Sequence, residues 1–204
     1  MSQTINTNHD IILASKSPRR RYLLEQAGIQ FSVIPSCFDE NTVTMTEPES
    51  YARKLAESKA NVIAEAYPDH WVIGADTIVL LDNDILGKPR CHEEARNMLM
   101  RLSAKTHRVI TGYCVRSKNR NRFFSDTIST DVCFKSLSAA EIEWYIQSGE
   151  PFGKAGAYAI QGLGTFLVKR INGSYTNVVG LPVCEIVEYL INEGVLVRTS
   201  EKLG

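Results

Sequence analysis

Apolar residues recur along this chain in two periodic patterns, one typical of strands and one typical of amphipathic helices. Short apolar runs bounded by Pro, Gly or polar residues indicate buried strands, and a two-residue alternation indicates half-exposed strands. The polar segment 118–122 predicts the turn of a long hairpin. The predicted strands cover residues 10–14, 30–34, 71–81, 107–117, 123–137 and 165–171.

Start and stop signals divide the remaining periodic segments into helices. Ser17-Pro18 is a favoured helix start, and Gly28 suits the end of the same helix. Thr46 with Glu49, and Ser138 with Glu141, match the capping-box pattern. The predicted helices cover residues 17–28, 46–66, 92–102, 138–149 and 182–194.

Strand–helix–strand units together with a long hairpin predict the α/β class with a mixed, twisted β-sheet flanked by helices. No linker-like stretch divides the chain, so residues 1–204 are expected to form one domain, with two lobes around a central cleft. The polar segment 1–9 is expected to be a flexible N-terminal extension.

Composition narrows the function classes. Lys plus Arg and Asp plus Glu each number 23, and a net charge of zero argues against a dedicated binder of nucleic acid or of a membrane surface. The N-terminus lacks the pattern of a signal peptide, and no apolar run approaches the ~20 residues of a membrane span. A cytoplasmic protein is therefore expected. The five cysteines and four histidines are scattered, which favours free thiols over disulfides or zinc.

A cationic segment, residues 15–21, stands at the predicted start of the first helix. Four of the six residues after Ser15 are Lys or Arg. The helix dipole already places partial positive charge there, so the arrangement is unfavourable unless an anion binds among these groups. Hydroxyls and guanidinium groups of Ser15, Arg19 and Arg20 suit a polyphosphate. A solvated basic helix start remains the alternative, and Arg21 fits a surface position.

Asp76 interrupts an otherwise apolar predicted strand. A carboxylate there is costly unless it is paired, hydrogen-bonded or bound to a metal. It is therefore a candidate general base or metal ligand, with a strand-end aspartate that satisfies a turn as the alternative. Glu40, Lys59 and Lys88 are weaker candidates, since acidic loop residues and lone lysines are usually solvated.

Glycines are concentrated in residues 149–164, where Glu150 and Lys154 add charge. Glycine lets a backbone approach a ligand closely, and the donor and acceptor of Gln161 suit the edge of a base. A long, tightly turning loop is the alternative.

Five segments together resemble the Maf family of nucleoside triphosphate pyrophosphatases. They are LASKSPRRRYLL (13–24), GADTIV (74–79), LGKP (86–89), KAGAYAIQG (154–162) and INGSYTNVVGLP (171–182). The combination of GADT with AIQG is similar to the dTTP/UTP-hydrolysing branch. One departure is Gly153, where many relatives carry Asp.

The resemblance implies a proton-accepting role for Asp76 and substrate-selecting roles for Arg19, Thr77 and Gln161. Other polar cleft positions correspond to Ser15, Arg20, Glu40, Lys59, Lys88 and Lys154. The resemblance also implies that the protein forms a homodimer and that its substrate is a nucleoside triphosphate.

The predicted reaction is attack of water on the α-phosphorus of dTTP, UTP or a related pyrimidine nucleotide, with pyrophosphate leaving. Mg²⁺ or Mn²⁺ is expected to bridge phosphate oxygens and the carboxylates of Glu40 and Asp76. Whether Asp76 takes the proton itself or binds the metal stays open. Rival hypotheses are a non-hydrolysing nucleotide-binding regulator of cell division and an RNA-binding module.

Overall fold

The computed structural model of the protein describes residues 6–7 and 9–197. The strands are β1 (Asn6–Thr7), β2 (Ile11–Leu13), β3 (Ser32–Val33), β4 (Trp71–Leu81), β5 (Asp84–Leu86), β6 (Thr106–Ser117), β7 (Arg122–Phe134), β8 (Val168–Asn172) and β9 (Leu196–Val197). The α-helices are α1 (Pro18–Gln26), α2 (Pro48–Ala66), α3 (His92–Leu102), α4 (Ala139–Gln147), α5 (Tyr175–Val179) and α6 (Val183–Asn192). Short 3₁₀ turns occur at Glu40–Thr42, Ala155–Ala157 and Gly162–Phe166.

A seven-stranded sheet organises the chain, with the strand order β3-β2-β4-β6-β7-β8 and with β5 paired to β4. β2 runs parallel to β3 and β4, and the other pairs in this sheet are antiparallel. This confirms the predicted α/β class with a mixed sheet. Of the expected flexible extension 1–9, Asn6 and Thr7 pair with β9. Residues 1–5 and 8 lie outside the described residues, so that expectation stays a prediction.

One edge of β4 is only partly covered. β2 pairs with it as far as Ile73, and β5 begins to pair with it at Val79. Between these points, residues 74–78 have no strand partner on that edge among the described residues. The conspicuous polar residues of β4, Asp76 and Thr77, lie in this gap, so the sheet leaves them accessible from the side.

Helix α2 packs very closely on one face of the sheet. Its small residues Ala52, Ala56 and Ala60 are fully buried. A Cβ on Gly74 would lie 2.4 Å from the carbonyl oxygen of Ala56, and one on Gly112 would lie 2.3 Å from that of Ala52. Only glycine permits this approach, and it brings the next turns of α2 within reach of Asp76.

The opposite face of β4 carries two apolar clusters, which share the partly buried Val168, Ile171 and Val178 at their edges. Trp71, Ile73 and Ala75 belong to one, which includes α1 and α6, and Val79 and Leu81 belong to the other, which includes α3 and α4. Thr77 lies on this face between them, because side chains two residues apart share a face. The predicted two lobes are these clusters, and the cleft lies where the apolar packing is interrupted.

Several predicted boundaries are wrong, including the end of the strand expected over residues 123–137, which the structure places at Phe134. Thr46 and Glu49 form no capping box, since α2 begins at Pro48 without a side-chain cap and the Glu49 carboxylate accepts a hydrogen bond from Arg108. The strand expected from residue 165 begins only at Val168, because the chain first completes a 3₁₀ turn. The Ser138–Glu141 capping box is confirmed. Within the described residues, no helix combines the length and the hydrophobicity needed to cross a membrane.

Candidate active site

A cavity of about 690 Å³ opens at the gap along β4, and the ten residues predicted for the site all line it. They come from the start of α1, the 3₁₀ turn after β3, α2, β4, the segment after β5, and the glycine-rich loop. These residues are Ser15, Arg19, Arg20, Glu40, Lys59, Asp76, Thr77, Lys88, Lys154 and Gln161.

Two carboxylates and one ammonium group form the acidic side of the cavity. The Lys59 Nζ atom lies 2.6 Å from Asp76 Oδ1 and 2.7 Å from Glu40 Oε1. The side chains of Lys59 and Asp76 are only 12% and 13% exposed, so this pair is weakly screened by solvent. Burial acts to raise the pKa of Glu40, but the hydrogen bond from Lys59 and the nearby charges of Lys59, Lys88 and Arg20 leave that pKa below its ordinary value.

The donor set on this side fits a divalent cation that shares its coordination with a substrate. Among the residues that the structure describes, no group of three or more Asp, Glu, His or Cys side chains is arranged to hold a metal. Mg²⁺ is commonly held by one or two carboxylates plus phosphate oxygens rather than by an all-protein cage. Glu40 and Asp76 already converge on one cationic atom, Lys59 Nζ, so their oxygens suit a shared positive charge.

The Arg20 side chain is held in the cavity wall by three hydrogen bonds. Its Nε donates to Gly180 O at 2.7 Å, and its two terminal nitrogens donate to Ser15 Oγ and Thr77 Oγ1 at 3.2 and 3.1 Å. Three of its five N–H groups are thus used inside the protein. Arg20 links α1 to β4 and to the end of α5, which leaves two N–H groups for a ligand.

Arg19 has a different environment, although it is the next residue. Its side chain makes no hydrogen bond or salt bridge with the residues described in the structure, and burial lowers the pKa of its guanidinium. Burial and then the charge of Arg19 likewise lower the pKa of Lys154. An anion bound here would compensate the desolvated positive charges. Lys88, an exposed residue on the same cavity, adds another cation.

The glycine-rich loop forms the remaining wall and carries Gln161, which is half-buried just before the 3₁₀ turn Gly162–Phe166. Tyr158 also lines the cavity, and its hydroxyl lies 2.7 Å from His107 Nε2. Burial lowers the pKa of His107 to about 4. Gly153 lies on the rim with φ of +75°, and a Cβ there would meet no atom within 4 Å.

Sequence reasoning missed several residues that hold the predicted ones in place. The Thr77 hydroxyl lies 2.9 Å from that of Thr111, which donates to Asn177 O at 3.1 Å. Tyr145 and Glu150 hold the glycine-rich loop through backbone hydrogen bonds. Thr111 and Tyr145 lie in ordinary strand and helix patterns, so no local signal distinguished them.

The chain is similar to known proteins over most of its length. The sequence pattern of the family described as "Maf: Maf-like protein" matches residues 10–193. A dTTP/UTP pyrophosphatase from Syntrophus aciditrophicus (strain SB) is 44% identical over 192 residues, which is 94% of each chain. A dTTP/UTP pyrophosphatase from Citrifermentans bemidjiense is 49% identical over 183 residues, covering 90% of this chain and 95% of that relative.

Among solved structures, the Staphylococcus aureus Ham1 protein matches with a TM-score of 0.49 and 13% identity, covering 90% of this chain and 99% of that one. This likeness is too distant to carry an argument. The match to the family pattern over nearly the whole chain, with relatives close to half identical, gives the conclusion: this chain is a member of the Maf-like family.

Proposed function

We propose that this chain hydrolyses dTTP and UTP to the nucleoside monophosphate and pyrophosphate. The observation that carries the proposal is a single cavity in which half-buried cations, Arg19 and Lys154, accompany a carboxylate pair, Glu40 and Asp76. Relatives over 90% or more of the chain bear the name dTTP/UTP pyrophosphatase.

The cationic residues suit a triphosphate. In this proposal, Arg19, Lys88 and Lys154 bind the phosphate oxygens and neutralise the charge that moves to the leaving pyrophosphate. Arg20 holds the start of α1 against β4, and its two remaining N–H groups are available to bind phosphate oxygens. Ser15 helps to hold Arg20 through its hydroxyl.

Asp76 is proposed as the acceptor of the proton from the attacking water. The Oδ1 atom of Asp76 accepts a hydrogen bond from Lys59 Nζ at 2.6 Å, and the Oδ2 atom of Asp76 accepts no hydrogen bond from the described residues. A carboxylate with one fixed and one available oxygen is suited to general base catalysis. This feature favours an enzyme over a non-hydrolysing regulator, because a pure binder of phosphate gains nothing from an acid beside it.

Glu40 and Asp76 are the residues that would hold Mg²⁺ or Mn²⁺. When bound there, the ion supplies positive charge to the phosphates and acidifies water. Gln161 and Thr77 are proposed to contact the base. The homodimer, the cytoplasmic location and the lack of a nucleic-acid partner stay predictions. They rest, in that order, on the family resemblance, on the absence of a signal-peptide pattern and of a long apolar run, and on the net charge of zero.

A panel of nucleoside triphosphates with Mg²⁺ or Mn²⁺, assayed separately for pyrophosphate and orthophosphate, tests the proposal. We expect pyrophosphate with dTTP and UTP and slower turnover of purine nucleotides. Release of orthophosphate alone would contradict cleavage at the α-phosphorus. Tight binding of dTTP with no cleavage under either metal would favour the regulator instead.

A further inference from the structure

Glu150 accepts hydrogen bonds with both of its carboxylate oxygens, although it lies in the turn after α4 rather than among the predicted site residues. Oε1 accepts from the Tyr145 hydroxyl and from the backbone N–H of Gly164, each at 2.9 Å. Oε2 accepts from the backbone N–H of Leu163, also at 2.9 Å. The side chain is therefore bound to the backbone of the glycine-rich loop.

Tyr145 extends this contact to the other side of Gln161. The phenol is fully buried. Its oxygen accepts a hydrogen bond from the Ala159 N–H at 3.2 Å, and its hydroxyl donates a hydrogen bond to Glu150 Oε1. Ala159 precedes Gln161 by two residues and Leu163 follows it by two. Glu150 and Tyr145 thus fix the backbone on both sides of Gln161.

Two glycines of this loop lie against neighbouring groups of the protein. A Cβ on Gly162 would lie 2.5 Å from Glu150 Oε2, and one on Gly164 would lie 2.2 Å from Ala159 O and 2.7 Å from the Tyr145 hydroxyl. Gly162 also has φ of +72°, which most other residues avoid. At both positions the backbone comes close to other groups of the protein itself, so these two glycines need no bound ligand to account for them.

Glu150 is also connected to the cationic wall. Its carbonyl oxygen accepts a hydrogen bond from Lys154 Nζ, and its charge acts on Arg19 against the effect of burial. Burial acts to raise the pKa of Glu150, but hydrogen bonds from Gly164, Leu163 and Tyr145 leave that pKa below its ordinary value. The group is therefore an anion at neutral pH.

We infer that Glu150 is a positioning residue that sets base selectivity, because it fixes the loop that presents Gln161 to the cavity. This inference rests on the proposed dTTP/UTP hydrolysis. The hydrogen bonds of the carboxylate go to Tyr145 and to the loop backbone. The carboxylate determines where the amide of Gln161 lies, while the main-chain carbonyl of the same residue holds Lys154.

Glu150→Gln is the sharpest test, because the two side chains have nearly the same size. Glutamine has one acceptor oxygen where the loop uses two, so its NH₂ group would face a backbone N–H. We expect KM for dTTP to rise and the dTTP-to-dCTP ratio of kcat/KM to fall roughly tenfold, with kcat changed far less. Glu143→Gln on α4 is the matched control, because Glu143 pairs with Arg96 on α3. This variant should keep the wild-type dTTP-to-dCTP ratio of kcat/KM.

Tyr145→Phe provides a second variant that keeps the carboxylate and removes only the hydroxyl. We expect the same direction of change with a smaller amplitude, and this variant decides the matter if Glu150→Gln does not fold. A lower melting temperature with an unchanged dTTP-to-dCTP ratio would assign Glu150 a merely structural role and overturn the inference.

Binding of dTTP and dCTP, measured calorimetrically without divalent metal, separates this inference from the proposed function. A wild-type protein that prefers dTTP but releases no pyrophosphate refutes the function, whereas loss of that preference in Glu150→Gln still supports the positioning role. A wild-type protein with no preference between the two nucleotides overturns the positioning role.

Discussion

The two sides of the cavity are built in different ways. The acidic side stands on long regular elements: Asp76 is in the middle of β4, and Lys59 is on α2, which the close contacts at Gly74 and Gly112 hold against the sheet. The loop side contains two short 3₁₀ turns and several positive-φ glycines, and side chains hold its backbone. The proposed chemistry thus depends on the sheet, whereas the proposed recognition of the base depends on a few hydrogen bonds.

The largest effect is expected from the acidic side. Asp76→Asn keeps the shape and removes the charge, and we expect kcat to fall on the order of 10²-fold or more with a small change in KM. Steady-state kinetics with dTTP measure this. Asp84→Asn, which removes an exposed charge paired with Arg101, should have nearly wild-type kcat. Near-normal turnover of Asp76→Asn would disprove its role as proton acceptor.

A smaller effect, mainly on binding, is expected from Arg19, whose charge interacts with Glu150 and Lys154 of the loop side. Arg19→Ala removes a partly desolvated cation, and a hydrogen bond to a charged group contributes about 1.5–3 kcal/mol, so we expect KM for dTTP to rise roughly 10- to 100-fold. Arg21→Ala removes an exposed neighbour that pairs with Glu25 at 2.7 Å and should leave KM unchanged. An unchanged KM and base preference in Arg19→Ala would contradict the assignment.

The smallest effect on catalysis is expected from His107, whose titration acts on the stability of the protein rather than on turnover. Because burial holds the pKa of His107 at about 4, against about 6.5 in an unfolded chain, the unfolded state binds the proton first. Stability from this residue is present above pH 6.5 and is lost as pH falls toward 4. Melting temperatures across this interval should fall less steeply for His107→Gln than for the wild type.

The control for this measurement is His92→Gln, which changes an exposed histidine and should keep the wild-type slope. Equal slopes for His107→Gln and the wild type would show that the buried His107–Tyr158 contact does not couple the loop side to pH.

Local patterns predicted most strands of the sheet but not β5, and together with the family resemblance they predicted residues that line the cavity. The apolar run 71–81 predicted β4 with its polar interruption at Asp76, and the basic segment at Ser17-Pro18 predicted a helix start on the cavity. Both signals are local, since each arises from the spacing of residues within one element.

Other features escaped because they depend on contacts between distant segments. The helix signal of Thr46 and Glu49 failed because Pro48 begins α2 and Glu49 pairs with Arg108, 59 residues further on. The hydrogen bond between Lys59 and Asp76 also joins separate elements. Gly162 and Gly164 suggested close approach to a ligand, but the approaching groups belong to the protein, Glu150 at Gly162 and the Ala159 carbonyl at Gly164, and spacing alone does not distinguish these cases.

The contact of Arg20 with Gly180 has a consequence for the order in which the protein matures. The two residues are 160 positions apart, and proteins are synthesised from the N-terminus at about 5–20 residues per second. During most of translation the guanidinium therefore lacks the carbonyl that fixes it. The nucleotide cavity can be completed only after residue 180 has left the ribosome, so a nascent chain is unable to bind its substrate in this geometry until then.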